Sequence, residues 1–168
     1  SCKTVVYNSE GNKLMERKED TKGVYPVDLD ISDDNKVLCV SYLDTSDVYP
    51  ISRLVFFYIN KEDSMNVADG IFSAVQKDDI YAISVNCMEN NTFFIASDVS
   101  LMCFSSAGEE IFTKELQEKI SAYDVFGKSY AVIGYDGLLP ESGDNKYSLE
   151  VIDLSGKTVS LTSLKDPI

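Results

Sequence analysis

The sequence contains no histidine and no tryptophan. Without histidine there is no Ser-His-Asp or Cys-His catalytic arrangement, and the commonest transition-metal ligand is missing. The four cysteines, Cys2, Cys39, Cys87 and Cys103, form no C-x-x-C pair. That excludes a zinc ribbon and a thioredoxin-like motif. Basic charge is scarce as well: 15 Lys and Arg stand against 28 Asp and Glu, a formal net charge of −13. Phosphate backbones and anionic membrane surfaces are held by Lys and Arg. Nucleic acid is therefore not expected as a partner, and a protein or a cationic ligand is. Long apolar runs are missing too. The longest, such as Leu54 to Ile59, cover about six residues, and a membrane-spanning helix needs about 20. No basic, apolar, small-residue leader opens the sequence, and the natural N-terminus is expected upstream of Ser1.

What is present suits a folded domain. The chain has 168 residues, of which 44% are apolar, with ten Tyr and eight Phe. Aromatic residues of this kind favour pleated, half-buried surfaces. Cys39, Cys87 and Cys103 lie inside apolar runs and read as buried thiols rather than disulfide partners.

The main signal is repetition. Val5-Val6-Tyr7-Asn8 runs into Ser9-Glu10-Gly11-Asn12, and Leu101 to Phe104 into Ser105-Ser106-Ala107-Gly108. Leu149 to Leu154 runs into Ser155-Gly156-Lys157. Each copy reads as strand, tight turn, strand. A fourth, Leu54 to Ile59, turns at Asn60-Lys61-Glu62. The turn positions Gly11, Lys61, Gly108 and Gly156 are 50, 47 and 48 residues apart, a spacing that suits propeller blades. Second hairpins alternate with these. They are Val27–Ser32 with Val37–Leu43, Tyr81–Met88 with Thr92–Ala96, and Ile120–Val125 with Ser129–Tyr135. Each unit thus has strands a, b, c and d, and many b and c strands are apolar without alternation, as strands covered on both faces are.

The expected fold is all-β: one propeller-like domain over residues 1–168, made of about three and a half four-stranded antiparallel units. A half unit covers about 1–26, and full units cover 27–80, 81–119 and 120–168. A β-sandwich with accidental spacing is the competing reading. A closed propeller needs at least about four blades, so the run is an open arc or part of a larger propeller, and weak self-association is expected. Two segments resist the strand reading. Ile71, Phe72 and Val75 sit at helical spacing, as do Phe112, Leu116 and Ile120; repeat position makes Glu110–Leu116 a d strand.

The stretch Leu29-Asp30-Ile31-Ser32-Asp33-Asp34-Asn35-Lys36-Val37-Leu38-Cys39-Val40-Ser41-Tyr42-Leu43 resembles a signature of an uncharacterised propeller-like family of Gram-positive anaerobes. Val55 to Tyr58 is similar to that family's Val-Phe-Phe-Tyr strand, and Asp69-Gly70-Ile71-Phe72 matches its Gly-Phe segment loosely. Asn35 stands where the family has Gly. The resemblance implies a membrane-anchored, extracytoplasmic propeller with no established activity. A cytoplasmic location is the alternative.

For chemistry, Asp28, Asp30, Asp33 and Asp34 look like half a calcium loop, but the required Gly is missing and position twelve is Cys39. Asp33-Asp34-Asn35-Lys36 reads better as a hairpin turn. No metal site and no cofactor are expected. The b-to-c connections should gather on one face and bring together Asp44, Asp47, Asp98, Asp136, Glu141 and Asp144, with Tyr49 as an aromatic contact. Connections of this kind on a rigid scaffold commonly carry binding, although solvated loops would look the same. The expected function is a non-catalytic binding or scaffolding module. The alternative is a carboxylate-based hydrolase or lyase in a propeller mouth.

Overall fold

The computed structural model describes residues 2–59, 71–78, 81–118, 120–136 and 147–164. Its regular structure is strand: fourteen strands and one 3₁₀ turn among the described residues. The strands form one hairpin and three four-stranded antiparallel sheets. The hairpin is β1 (Cys2–Tyr7) and β2 (Lys13–Glu19). Unit 1 is β3 (Val24–Ile31), β4 (Val37–Asp44), β5 (Ile51–Tyr58) and β6 (Ile71–Asp78). Unit 2 is β7 (Ala82–Met88), β8 (Thr92–Ser97), β9 (Ser100–Phe104) and β10 (Glu110–Glu115). Unit 3 is β11 (Ile120–Phe126), β12 (Tyr130–Asp136), β13 (Tyr147–Asp153) and β14 (Thr158–Leu164). In each unit the strands pair in chain order, so every unit is a meander of the a-b-c-d kind.

The repeat extends to irregularities. In each unit the a–b ladder carries one bulge near its start, between Pro26 and Asp28, Ala82 and Ser84, and Ile120 and Ala122. A bulge turns the strand and increases its twist, which gives the three sheets the same propeller-like coil. The c–d turns at Gly11, Gly108 and Gly156 take positive φ of 81°, 76° and 80°, as the sequence required. The expected turn at Asn60 lies outside the described residues. The d strand of unit 1 starts at Ile71, opposite Phe57. Ile71–Asp78 and Glu110–Glu115 are both strands, so the helical spacing of their apolar residues was coincidental.

The core lies between sheets rather than within one. Val37, Cys39, Leu54 and Phe56 of unit 1 pack against Val85, Phe93, Ile95 and Phe104 of unit 2. Phe94, Leu101 and Cys103 on the other face of unit 2 pack against Ala131, Ile133 and Ile152 of unit 3. Met15 of the hairpin packs against Leu38, Val40, Val55 and Phe57 of unit 1. Successive sheets stacked face to face around an axis are the propeller arrangement. It explains why β8 and β9 are buried at almost every position while β13 alternates: among the described residues β13 is covered on one face only.

Candidate functional site

The described b-to-c connections, at 44–51 and 98–100, are held by local bonds. Asp44 ends β4. Its Oδ1 accepts the Ser46 N–H at 2.9 Å and the Ser46 hydroxyl at 2.5 Å. Its Oδ2 meets the Arg53 guanidinium at 3.4 Å. The Ser46 bonds, ahead of the Arg53 charge, hold the Asp44 carboxyl below the usual carboxylate range. The loop is tied down at its start, where the Thr45 N–H and hydroxyl both donate to the Gly23 carbonyl, at 2.7 and 2.9 Å. Gly23 has a φ of +93°, and a Cβ there would lie 3.1 Å from the Ser46 nitrogen, so this approach needs glycine. Beyond the anchor, Asp47 accepts the Val48 N–H at 2.7 Å. Val48 and Tyr49 stand out, 82% and 75% exposed.

Asp98 occupies the equivalent turn of unit 2. Its backbone N–H donates to the Tyr81 carbonyl at 3.3 Å, and its Oδ1 accepts the Tyr81 N–H at 3.4 Å. It fastens the β8–β9 turn to the entry of β7. Asp136 ends β12; Glu141 and Asp144 lie outside the described residues. Among the described residues no hydrogen bond or ion pair joins the Asp44 loop to Asp98. Asp44, Asp47 and Asp98 each have a local partner of their own.

The opposite end carries a clasp that the sequence reading did not single out. The three a–b turns meet there. Lys128 of unit 3 pairs with Asp33 of unit 1. Asn91 of unit 2 accepts the Asp34 N–H at 3.2 Å. The Glu89 N–H donates to the Lys128 carbonyl at 2.8 Å, and the Ser129 hydroxyl to Glu89 at 2.6 Å. Asn35, Asn90, Asn91 and Lys128 all have φ between 54° and 60°, a region that asparagine tolerates better than most residues. The cluster of asparagines in two turns was the available signal. Asp33-Asp34-Asn35-Lys36 is the β3–β4 turn, with the Ser32 hydroxyl accepting the Val37 N–H at 2.9 Å.

Asp28 and Asp30 have a structural use. They project from β3 at alternate positions and accept the N–H groups of Val85 and Cys87, at 2.8 and 2.7 Å. Those donors lie on the free edge of β7, and an unpaired strand edge needs acceptors. The half calcium loop is thus a side-chain ladder between two units.

A cleft of about 330 Å³ opens between the hairpin and unit 1. It is lined by Glu16, Arg17, Lys18, Glu19 and Asp20 of the hairpin side and by Tyr42, Arg53, Val55 and Phe57 of unit 1.

The thiols are shielded. Cys39, Cys87 and Cys103 are buried and unpaired with one another. Burial pushes all three thiols up, that of Cys103 to about 12, so none is a ready thiolate. No cluster of three metal-ligating side chains occurs among the described residues. No described helix is long and apolar enough to cross a membrane.

Solved structures support the architecture. A protein of unknown function from Bacteroides caccae matches at TM-score 0.51 and 10% identity, covering 94% of this chain and 53% of that one. A eukaryotic initiation factor matches at TM-score 0.62 and 13% identity, covering 93% of this chain and 36% of its own. Hydrazine synthase of Kuenenia stuttgartiensis matches at TM-score 0.50 and 12% identity, with 88% and 51% covered. At such identities the likeness is one of fold alone, and the chain spans between about a third and a half of those proteins. None of the curated proteins matches it. A family model matches residues 3–166, nearly the whole chain. The chain therefore belongs to the family of unknown function DUF5711.

Proposed function

We propose that this chain is a non-catalytic binding or scaffolding module that engages a protein or a cationic ligand through its β4–β5 loop. The observation that carries the reading is the pairing of an exposed Val48-Tyr49 tip with a loop base anchored to Gly23 and Arg53. A fixed aromatic on a rigid scaffold costs little entropy on binding, and tyrosine is enriched at interface centres. Asp44 and Asp47 beside it favour a cationic partner. Acid–base hydrolysis needs two carboxylates with separated pKa values facing one space. The local bonds of Asp44 and Asp98 argue against it.

The resemblance of residues 29–43 and 55–58 to membrane-anchored propeller proteins supports an external location, with the anchor supplied outside this chain. The half-buried Leu149 and Val151 on the open face of β13 support weak, salt-promoted self-association, because salt screens the strong negative charge. Sedimentation velocity that stays monomeric at high protein and salt concentration would remove that part.

The main reading is tested with a photo-crosslinking amino acid at Tyr49 in the full-length protein, expressed in the cells that make it. Adducts are expected at Tyr49, lost on Asp47→Lys, and missing when the crosslinker stands at Tyr7, which is 59% exposed. Equal adducts at both sites, or substrate turnover abolished by Asp44→Asn, would overturn it.

A further inference from the structure

The chain has two arginines, Arg17 and Arg53. They belong to different sheets, yet both line the cleft between the hairpin and unit 1. In an acidic protein this is a concentration of the one cation that presents a planar, fixed fork of donors. Register explains the placing. Arg17 is opposite Thr4, on the hairpin face that also carries Met15 and packs on unit 1. Arg53 is opposite Tyr42. The Arg17 guanidinium lies 6.0 Å from the centre of the Phe57 ring. Tyr42, Val55 and Phe57 form the apolar wall.

Arg53 has capacity to spare. Its contact with Asp44 is a single one of 3.4 Å, at the long end of hydrogen bonding, and the other Asp44 oxygen is occupied by Ser46. A guanidinium has five N–H donors. The side chain is 26% exposed, so it is reachable and still partly out of water. The rim carboxylates have partners of their own. Glu16 pairs with Lys3 at 2.9 Å and Lys13 at 2.7 Å, and Asp20 with Lys18 at 2.8 Å. Glu19 accepts the Thr21 N–H at 2.9 Å.

We propose that this cleft binds a carboxylate carried on an aromatic or aliphatic group. The carboxylate takes the fork of Arg53 in the two-pronged manner that guanidinium and carboxylate share, with the Arg17 charge alongside. The apolar body lies on Tyr42, Val55 and Phe57. A singly charged carboxylate suits the cleft better than a phosphate, whose second charge would face Glu19 and Asp44. The volume is at the small end of ligand pockets and fits a ring with a short tail. A free aromatic acid and the C-terminal residue of a peptide both present this chemistry. The site shares Arg53 with the base of the β4–β5 loop, but its ligand is an anion and that of the Tyr49 tip is not, so crosslinking at Tyr49 and titration of the arginine signals read the two separately.

Because there are two arginines, two Nε–H signals in a nitrogen-15 spectrum report on the cleft. The labelled protein is titrated with phenylacetate, phenylacetamide, acetate and N-acetyl-glycyl-phenylalanine. Saturable movement of both signals is expected with phenylacetate or with the acetylated dipeptide. The tighter of those two identifies the free acid or the peptide terminus as the source. Phenylacetamide and acetate, each lacking one half of the ligand, are expected to bind at least about tenfold more weakly. Arg53→Lys keeps the charge and loses the fork, and a similar tenfold loss is expected with an unchanged thermal melt. If that variant unfolds, Phe57→Leu, which removes the ring and keeps the volume roughly filled, should weaken phenylacetate more than acetate. The proposal is overturned if no carboxylate moves either signal saturably up to tens of millimolar. It is overturned equally if phenylacetamide matches phenylacetate, or if folded Arg53→Lys binds as the parent does.

Discussion

Replacing Glu150 by glutamine tests how the units are held together. Glu150 sits on β13 facing unit 2 and is 9% exposed. It accepts the Tyr135 hydroxyl at 2.6 Å and the Thr158 hydroxyl at 2.5 Å. Lys114 of β10 reaches it at 3.3 Å and also donates to Thr158 at 3.0 Å. Units 2 and 3 thus share one partly buried charge pair with satisfied neighbours. Hydrogen bonds to a charged group contribute about 1.5–3 kcal/mol and neutral ones about 0.5–1.5. Glutamine keeps the shape, so each of the contacts loses roughly 1 kcal/mol, and Lys114 loses its counter-charge. A total of about 2–4 kcal/mol is expected for Glu150→Gln. Glu150→Ala should cost about 3–5 kcal/mol, because the Tyr135 hydroxyl is then left buried without an acceptor. Urea unfolding followed by tyrosine fluorescence measures this, with the slope unchanged. The pH dependence adds a signature. Burial pushes the Glu150 carboxyl up, but the bonds from Thr158 and Tyr135 and the charge of Lys114 outweigh it and hold the group below its ordinary value. A carboxyl lowered in the folded state stabilises above its unfolded pKa, about 4.3. That contribution is lost as pH falls through the lower folded value. The gap between parent and Glu150→Gln should therefore be full at neutral pH and narrow progressively as pH falls below about 4.3 toward the lower folded value. A gap that does not narrow at all as pH falls below about 4, or a neutral-pH cost under about 0.5 kcal/mol, would refute the account.

Three other perturbations follow from the same contacts. Phe56 is fully buried, with Phe93 at 5.8 Å and Phe104 at 5.9 Å between ring centres, so Phe56→Ala should cost about 3–5 kcal/mol in urea unfolding; a loss under 1 kcal/mol would contradict the inter-unit core. Asp28→Ala with Asp30→Ala should speed amide exchange at Val85 and Cys87 while exchange in the β12–β13 ladder changes little, and unchanged protection would show that the cross-unit ladder is not held in solution. Cys39, Cys87 and Cys103 should resist thiol reagents until denaturant is added, whereas half-buried Cys2 should react first; simultaneous labelling of all four in the folded protein would contradict the burial.

The sequence was most readable where one strand does one job. Strands b and c are sandwiched between sheets, so their unbroken apolar runs at Val37–Val40 and Phe93–Ala96 identified them directly. The c–d turns were readable because positive φ demands glycine at Gly11, Gly108 and Gly156. The d strands were harder. β10 is exposed at every second position, and with one face in water its few apolar residues fit a helical period as well as a strand period. β6 was obscured further because its first residue, Ile71, pairs with Phe57, a partner that no short window of sequence contains.

Site residues failed to be read for a different reason. Asp28 and Asp30 are spaced like metal ligands, and period two along a strand gives that same spacing for a purely structural purpose. Their partners, Val85 and Cys87, are 57 residues away, so no window of sequence could pair them. Arg17 and Arg53 meet at the cleft only because β2 and β5 belong to stacked sheets. Asp44 and Asp47 bond the backbone next to them, as short side chains beside a turn do, a local use that a count of carboxylates does not reveal.

The same logic links the three units. The cross-strand pair Cys39–Phe56 covers unit 2, and its equivalent Phe94–Cys103 covers unit 3. The third member of the series is Val132–Val151, again apolar, and both residues are half-buried. One step along, Ser41–Leu54, Ala96–Leu101 and Gly134–Leu149 repeat the pattern of a small residue opposite leucine. The inner strands agree: counted from their bulges, Asp30, Asn86 and Asp124 fall at one position. Asp30 accepts the N–H of the next unit's inner strand, while Asp124 accepts that of its own neighbour Val125 at 2.8 Å. Unit 3 therefore carries Val132, Val151 and Leu149 at the positions whose counterparts in units 1 and 2 cover the next unit. In a propeller-like stack the side chains that build the fold and those that could recruit another sheet are of the same kind, so Val151→Asp is expected to weaken any self-association that sedimentation velocity detects while leaving the two internal interfaces whole.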